Sequence, residues 1–222
     1  MRSQRHTATR ADTDTPNKAK WLAGETLLAV GLDGAGKTTM TYQLAFGVTP
    51  VAAPTLGSNV EQARYSLSLP VEDLKQKNRK DELSFIAFLL SGALQVQHAG
   101  TELEVWDVGG QESMRPTWPS FVPNARVLVL VVDSTDRACL PLTKAELWNL
   151  LERSELGNAI LLVLANKQDI EHAMSQEEVE EGLAIDRVKH DCCVQLCSAL
   201  KNEGLTDAFT WVSNRLKEQS AK

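Results

Sequence analysis

Residues 31–38 read Gly31-Leu32-Asp33-Gly34-Ala35-Gly36-Lys37-Thr38, which fits the pattern G-x-x-x-x-G-K-[ST] of a phosphate-binding loop. A run of β-type residues, 26–30, comes directly before this stretch, and a helical pattern through Met40, Leu44 and Phe46 follows it. Glycines let a backbone wrap around a phosphate, and the N–H groups at a helix N-terminus point towards negative charge. The stretch therefore predicts a strand, an anion-binding loop and a helix.

The side chains of this loop predict how a nucleotide would be held. Lys37 is expected to bridge the β- and γ-phosphates, and Thr38 to ligate Mg²⁺. The candidate nucleotide-binding residues of the loop are Gly31, Asp33, Gly34, Ala35, Gly36, Lys37, Thr38 and Thr39. The loop alone does not choose between ATP and GTP, or between a kinase and a switch.

Short apolar runs alternate with helical stretches along most of the chain. Continuous runs rich in Val, Leu and Ile are typical of parallel strands that are covered on both faces. Strands are predicted at 26–30, 103–108, 127–132, 160–165 and 192–197, and helices at 140–151 and 179–183. Segment 61–69 alternates apolar and polar residues, as a half-exposed edge strand does. The sequence predicts an α/β fold with a mostly parallel sheet and helices on both faces.

Composition limits the class of protein. The 222 residues are 43% hydrophobic with a formal charge of −6, which fits one globular domain and argues against nucleic-acid binding. No apolar run reaches the roughly 18–20 residues of a membrane span, and no secretory signal is apparent, so a cytoplasmic location is expected. Residues 1–20 lack large apolar side chains after Met1 and predict a flexible tail, followed by one domain at 21–222. The four cysteines are interpreted as buried or free thiols rather than a metal site.

The run at 160–165 ends in Asn166-Lys167-Gln168-Asp169. The carboxyl end of a parallel strand places such loop residues over a ligand. A carboxylate at Asp169 can accept hydrogen bonds from guanine N1–H and from its 2-amino group, whereas adenine offers neither donor there. The tetrapeptide resembles the N-K-x-D guanine motif of small GTPases and disfavours a P-loop kinase or ATPase.

The strand at 103–108 runs into Asp107-Val108-Gly109-Gly110-Gln111, which resembles the switch II signature of Arf/Arl small GTPases. Matching stretches follow the same family at 31–39, 54–57, 59–61, 132–134 and 165–169. The chain is therefore identified as resembling this family over residues 25–218, apart from an interruption at about 70–100. The resemblance implies the P-loop small-GTPase fold, with a six-stranded sheet that contains one antiparallel edge strand.

The resemblance also implies roles for matching residues around the phosphates. Asp107 would hold Mg²⁺ through water, and Thr55 would complete the metal shell when a γ-phosphate is present. The Gly110 N–H would contact that γ-phosphate, and Gln111 would orient the attacking water. The catalytic residues are then Gln111, Gly110 and Lys37, and the metal ligands are Thr38, Thr55 and Asp107.

Residues near the base are implied in the same way. Asn166, Lys167 and Asp169 would bind guanine, and the loop with Ser198 and Ala199 would offer a backbone N–H to the base oxygen. Trp106 and Phe121 are open to two interpretations, as core aromatics or as an effector contact.

The function implied is that of a monomeric GTP/GDP switch that uses Mg²⁺ and hydrolyses GTP slowly without an activating partner. Its expected partners are an exchange factor, a GTPase-activating protein, effectors and a peripheral membrane contact on endomembranes, in membrane or vesicle traffic. The alternative hypothesis is a nucleotide-dependent scaffold that binds GTP and GDP but neither toggles nor hydrolyses usefully.

Two positions depart from the family pattern. Arg2 stands where Arf proteins carry the glycine that is myristoylated, so anchoring by that route is not expected. Ser58 replaces a phenylalanine that reads the switch state to effectors, so effector choice is not expected to follow the family.

The largest departure lies between the two switch segments. Residues 62–105 separate Glu61 from Trp106, where the family has a tight hairpin, an excess of roughly 30 residues placed at about 70–100. Residues 83–90 of this insertion are almost entirely apolar. Three hypotheses remain: the insertion packs on the domain, it contacts a membrane or partner, or it is an untranslated stretch joined to the coding sequence.

Overall fold

The computed structural model describes residues 24–49 and 93–221. Its six strands are β1 (Glu25–Val30), β2 (Ala93–His98), β3 (Thr101–Asp107), β4 (Val127–Asp133), β5 (Ile160–Asn166) and β6 (Cys192–Leu196). Its four α-helices are α1 (Lys37–Phe46), α2 (Leu140–Leu151), α3 (Gln176–Leu183) and α4 (Leu205–Ser220). The strands form one sheet in the order β2-β3-β1-β4-β5-β6, in which only β2 and β3 pair antiparallel. The α/β prediction with one antiparallel edge strand is confirmed.

Successive residues of each central strand point to opposite faces of the sheet, and both faces are covered. In β1, Leu27 and Ala29 join a core that includes Met40 of α1 and Phe209 of α4. Leu28 and Val30 join a second core with residues of α2 and α3. Burial on both faces explains why the central strands read as unbroken apolar runs.

The predicted strands agree with the observed ones to within two residues at each end. Strand β5, for example, was expected at 160–165 and extends to Asn166. The helix predicted after the phosphate-binding loop is α1. The helix predicted at 140–151 has those bounds, whereas the one predicted from 179 begins at Gln176, after a capping box between Ser175 and Glu178 that extends it by nearly one turn.

The edge strand β2 corrects the position assigned to the insertion. Residues 93–98 pair with β3 through a two-residue turn at Ala99 and Gly100, so residues 93–100 belong to the sheet. The insertion predicted at about 70–100 therefore reaches too far, and the hairpin turn itself is short. Segment 61–69, for which an edge strand is predicted, and the tail at 1–20 lie outside the described residues.

Helix α4 has no counterpart among the predicted elements. Its buried apolar residues recur with helical spacing at Leu205, Ala208, Phe209, Val212 and Leu216. The apolar spacing in the sequence is therefore a local signal for this helix.

Two observations concern the described residues only. No helix within 24–49 and 93–221 has the length and apolar character needed to cross a bilayer. The four cysteines are free thiols, as expected, and no group of three or more His, Cys, Asp or Glu side chains there could hold a metal ion.

The position of β2 predicts different results for two deletions. Removing residues 71–92 should leave a cooperatively folding protein, because the six strands that the structure describes and every nucleotide motif lie outside that range. Removing 71–99 also takes away buried Leu94 and Val96, and should lower the free energy of unfolding by a further 3–6 kcal/mol or so. Urea unfolding of both variants measures the difference. Equal stabilities would show that β2 contributes nothing to the core.

Candidate nucleotide-binding site

The predicted site residues lie at the carboxyl ends of the parallel strands. The loops that follow β1, β3, β4, β5 and β6 meet at this edge of the sheet, because the strands are parallel and adjacent. Open α/β sheets bind ligands at this edge. The described part of the predicted site is thus gathered at one end of the molecule, while Thr55 lies outside the described residues.

The phosphate-binding loop, residues 31–36, links β1 to α1. Gly36 precedes the helix with φ 100°, a backbone conformation that L side chains rarely adopt. A Cβ at this position would also overlap Nδ2 of Asn166. Gly36 is therefore required both by its own backbone and by the close approach of the loop after β5. Asp33 and Gly34 are exposed at the tip of the loop, and Ala35 is buried beneath it.

Lys37 is buried beneath this loop, with 5% of its surface exposed. Its Nζ donates hydrogen bonds to the carbonyl oxygens of Gly31 and Leu32, each at 2.9 Å. Burial lowers the pKa of Lys37, and the nearby carboxylates of Asp107 and Asp33 act against that shift. A buried ammonium group held at the loop provides a fixed positive charge for an anionic ligand.

Thr38 and Asp107 meet beside Lys37, although 69 positions separate them in sequence. The Thr38 Oγ1 donates to Asp107 Oδ2 at 2.7 Å. Hydroxyl and carboxylate oxygens are the ligands that Mg²⁺ prefers. The pair thus fits a magnesium ion, and the adjoining phosphate-binding loop fits a nucleotide phosphate. Thr39 follows in the first turn of α1 and is half-buried.

The chain after β3 packs directly on the phosphate-binding loop. A Cβ at Gly110 would overlap the Gly31 carbonyl oxygen and the Lys37 Nζ, so only glycine allows this approach. Gln111 comes next, half-buried, at the start of a turn in which its carbonyl accepts hydrogen bonds from the N–H groups of Met114 and Arg115. The backbone of Gln111 therefore follows directly on the glycine that packs against Lys37.

Two side chains that the sequence motifs do not include hold this segment. Trp118 Nε1 donates to the Gly109 carbonyl at 2.8 Å, and Arg115 Nε donates to the Gly110 carbonyl at 3.1 Å. Trp118 is almost completely buried. The sequence gives no signal for these bonds beyond the residue types, because it is the folded turn that brings the donors and acceptors together.

Asn166 joins the two ends of the site. Its side chain is 3% exposed, its Nδ2 donates to the Ala35 carbonyl, and its Oδ1 accepts from the Ala199 N–H, both at 2.8 Å. The phosphate-binding loop and the loop after β6 are therefore attached to one amide. The bonds span 131 and 33 positions of sequence.

Lys167 and Asp133 form an ion pair at 2.5 Å between the loops after β5 and β4. Burial alone would raise the pKa of Asp133, but hydrogen bonds from Lys167 and Thr135 outweigh it, and the pKa is lowered. Lys167 itself has a left-handed backbone, with φ 68°. The pair fixes Lys167 along the edge of the site, with its ammonium group on Asp133.

Asp169 and Ser198 face each other across the loops after β5 and β6. The Ser198 hydroxyl is fully buried, donates to Asp169 Oδ1 at 2.6 Å and accepts from the Lys201 N–H at 3.1 Å. This pairing fixes the Asp169 carboxylate, which is the acceptor that the sequence analysis expects for guanine.

The backbone N–H groups of the loop after β6 have partners within the protein. The Ser198 N–H donates to the Glu203 carbonyl, and the Ala199 N–H donates to Asn166 Oδ1. These bonds connect the loop after β6 to its own end and to the end of β5. In this structure Ser198 and Ala199 position Asp169 and Asn166, a role that depends on contacts the dipeptide alone does not reveal.

The double attachment of Asn166 predicts its contribution to stability. Asn166→Ala should lower the free energy of unfolding by about 2–4 kcal/mol, because it leaves the buried Ala35 carbonyl and Ala199 N–H without these partners. The matched control, Asn158→Ala at an exposed position, should stay within about 0.5 kcal/mol of the parent. Denaturant unfolding compares the three proteins. An Asn166 variant as stable as the control would mean that the amide does not hold the loops together.

Comparisons with known proteins identify the family of the chain. The model of the ADP-ribosylation factor family matches residues 18–79 and 72–216. The chain is 38% identical over 194 residues to ADP-ribosylation factor-like protein 1 of Drosophila melanogaster, covering 87% of this chain and 89% of that protein. It is 34% identical over 192 residues to mouse ADP-ribosylation factor-like protein 5A, covering 86% and 89%.

A solved structure has the same fold. The Arl6 BBS3 small GTPase of Trypanosoma brucei, with bound nucleotide analogue GppNp, superposes with a TM-score of 0.67 at 21% identity. The match covers 88% of this chain and 99% of that one. Taken with the family model and the two relatives, this shows that the chain belongs to the ADP-ribosylation factor family of small GTPases, which bind GTP and GDP with Mg²⁺ and hydrolyse GTP.

Proposed function

We propose that the site at the carboxyl edge of the sheet binds GTP and GDP, and that slow, partner-stimulated hydrolysis switches the protein between two states. The observation that carries the proposal is the attachment of the phosphate-binding loop to the Asn166–Asp169 loop through the Asn166 amide. A phosphate end and a base end are thereby held in one continuous site, as a nucleoside phosphate requires.

The phosphate end uses the residues grouped around Lys37. Backbone N–H groups of residues 31–39 and the Lys37 ammonium bind the phosphates, where Lys37 exchanges its carbonyl partners for phosphate oxygens. Thr38 and Asp107 hold the metal side of the site, with Thr55 as a further ligand from the switch I segment. Bound Mg²⁺ would neutralise charge on the β- and γ-phosphates.

The base end selects guanine. The Asp169 carboxylate accepts from the two donors on the Watson–Crick edge of guanine, and the Ser198 hydroxyl keeps it oriented. Asn166 and Lys167 line the same loop, with Lys167 positioned by Asp133. Ser198 and Ala199 hold Asp169 and Asn166 in place, and a backbone N–H of their loop is proposed to reach the base oxygen.

Hydrolysis depends on Gln111, which lies one residue beyond the glycine packed against Lys37. We propose that Gln111 orients the attacking water and that the Gly110 N–H contacts the γ-phosphate. Arg115, the nearest arginine along the chain, is engaged by the Gly110 carbonyl and lies 3.9 Å from Glu146. This supports slow hydrolysis alone, with a GTPase-activating partner supplying the missing charge.

The partners, the cellular role and the location are proposed from the family membership. We propose an exchange factor, a GTPase-activating protein and effectors as partners, and a role of the monomer in membrane or vesicle traffic. The location proposed is the cytoplasm, with peripheral contact to endomembranes. The uninterrupted β2–β3 hairpin supports a switch over a scaffold that cannot toggle, because the extra residues enter before β2 and not at the turn.

The base end predicts a change of nucleotide preference. Asp169→Asn replaces a carboxylate acceptor with an amide whose N–H₂ group can face the guanine donors, so affinity for GDP should fall and affinity for XDP should rise. Competition binding against a fluorescent nucleotide measures both. Asp186→Asn, on the exposed turn after α3, is the matched control and should bind GDP as the parent does. Unchanged GDP affinity in the Asp169 variant would remove that residue from the site.

The segment after β3 predicts a separate effect on turnover. The parent should hydrolyse GTP alone at a rate on the order of 10⁻⁴ to 10⁻² s⁻¹. Gln111→Leu should bind a GTP analogue normally but lose turnover stimulated by an activating partner. Thr38→Asn should instead weaken Mg²⁺ binding and favour the GDP or nucleotide-free form. Single-turnover phosphate release separates the two, and a Gln111 variant that responds fully to the partner would place water activation elsewhere.

A further inference from the structure

A small polar junction lies between the last turns of α1 and the loop after β6. Gln43, with 7% of its surface exposed, donates from Nε2 to Thr49 Oγ1 at 2.8 Å and to the Leu200 carbonyl at 3.5 Å. Thr49 Oγ1 donates to the same Leu200 carbonyl at 3.2 Å. The three groups close a triangle, called the Gln43 junction below, that spans up to 157 positions of sequence.

The Gln43 junction connects two segments with different tasks in the proposed site. Leu200 follows directly after Ser198 and Ala199, whose contacts position Asp169 and Asn166. The junction therefore holds the far end of the loop that supports the base-binding residues. Thr49 lies six positions before Thr55, on the chain that enters the switch I segment. One amide thus fixes the base loop relative to Thr49, just beyond the end of α1.

Stability alone does not account for an amide at position 43. Within the described part of the chain, the buried Gln43 Oε1 accepts no hydrogen bond. A buried acceptor without a partner destabilises a fold, and an apolar side chain of similar size would avoid that cost. What the amide adds is its donor group, which reaches both Thr49 and Leu200. The geometry therefore favours a positioning role.

We infer that Gln43 is a positioning residue that slows the release of bound guanine nucleotide. It does so by keeping the loop at 198–201 against the chain that leads into switch I, so that the base end of the site cannot open independently. This inference rests on the proposed function, since it assigns the control of nucleotide retention to a residue outside the nucleotide motifs. Release is the step affected, because Gln43 lies at the opposite end of α1 from Lys37 and Thr38.

The test is the dissociation rate of a fluorescent GDP analogue from the full chain. Gln43→Met keeps the size of the side chain but removes the donor, and should release the analogue about 5–10-fold faster, as expected for the loss of one or two net hydrogen bonds. Gln176→Met is the matched control. It removes a 2.7 Å hydrogen bond from Gln176 to Glu180 on the surface of α3, and should release at the parent rate.

Variants of Thr49 separate positioning from a general loss of packing. Thr49 is exposed, so its substitution should leave the core intact. Thr49→Val should accelerate release, whereas Thr49→Ser, which keeps the hydroxyl, should restore the parent rate. In the double variant Gln43→Met, Thr49→Val, the release rate should rise by less than the product of the two single increases. Both substitutions break the same junction. Single-turnover GTP hydrolysis should not change in any of them.

The outcomes distinguish this inference from the function on which it rests. If the parent binds the GDP analogue and both Gln43→Met and Thr49→Val release it at the parent rate, the positioning role is wrong and the proposed function stands. If Thr49→Ser releases as fast as Thr49→Val, the hydroxyl is not the group that matters, and the junction is likewise overturned. If the parent binds no guanine nucleotide, the proposed function itself fails.

Discussion

The buried side chain of Asn166 is the constraint on which the arrangement of the site depends. Its amide satisfies a carbonyl of the phosphate-binding loop and an N–H of the loop after β6 at the same time. Neither loop belongs to regular structure, so each has few other ways to be held, and a buried backbone group without a partner is costly. Asn166 can do this because it ends a fully buried central strand, which leaves its position little freedom.

Electrostatics at the phosphate end follow from the same packing. Lys37 is almost completely buried, because Gly110 lets the chain after β3 pack closely against it. Its ammonium group is stabilised by two carbonyl oxygens and by the neighbouring Asp107 charge. Those partners are weaker than a phosphate would be, because a charge-assisted bond to an anion is stronger than one to a neutral carbonyl.

Much of the fold can be predicted from the sequence, because the central strands are visible as local runs of apolar residues. The buried parts of β1, β4 and β5 are unbroken apolar runs, which are typical of parallel strands covered on both faces. Segment 61–69 and Ala93–His98 both alternate apolar and polar residues, and the sequence analysis predicts an edge strand only in the first. Which of the two segments pairs with β3 is decided by distant contacts that local pattern cannot express.

The residues of the candidate site also fall into two groups, those that the sequence identifies and those that it does not. Motif residues such as Lys37, Thr38 and Asp169 are identified by type and spacing. The side chains that hold them are not, because Trp118, Arg115 and Gln43 act on backbone carbonyls, and any residue supplies a carbonyl. The partners of the Ser198 and Ala199 N–H groups, Glu203 and Asn166, are not indicated by the motif for a related reason: the folded loop sets them.

The short hairpin turn between β2 and β3 has a consequence for how the family fold accommodates a longer chain. Since that turn is intact, the additional residues lie in sequence before β2, the outermost strand among those that the structure describes. The entropy of closing a flexible connection grows with the logarithm of its length, so a tenfold longer one costs only about 2 kcal/mol. An edge strand also has one neighbour rather than two, so fewer pairings depend on when it joins. Length added at this point is therefore thermodynamically cheap, whereas the same residues placed between β1 and α1 would separate Lys37 from its loop.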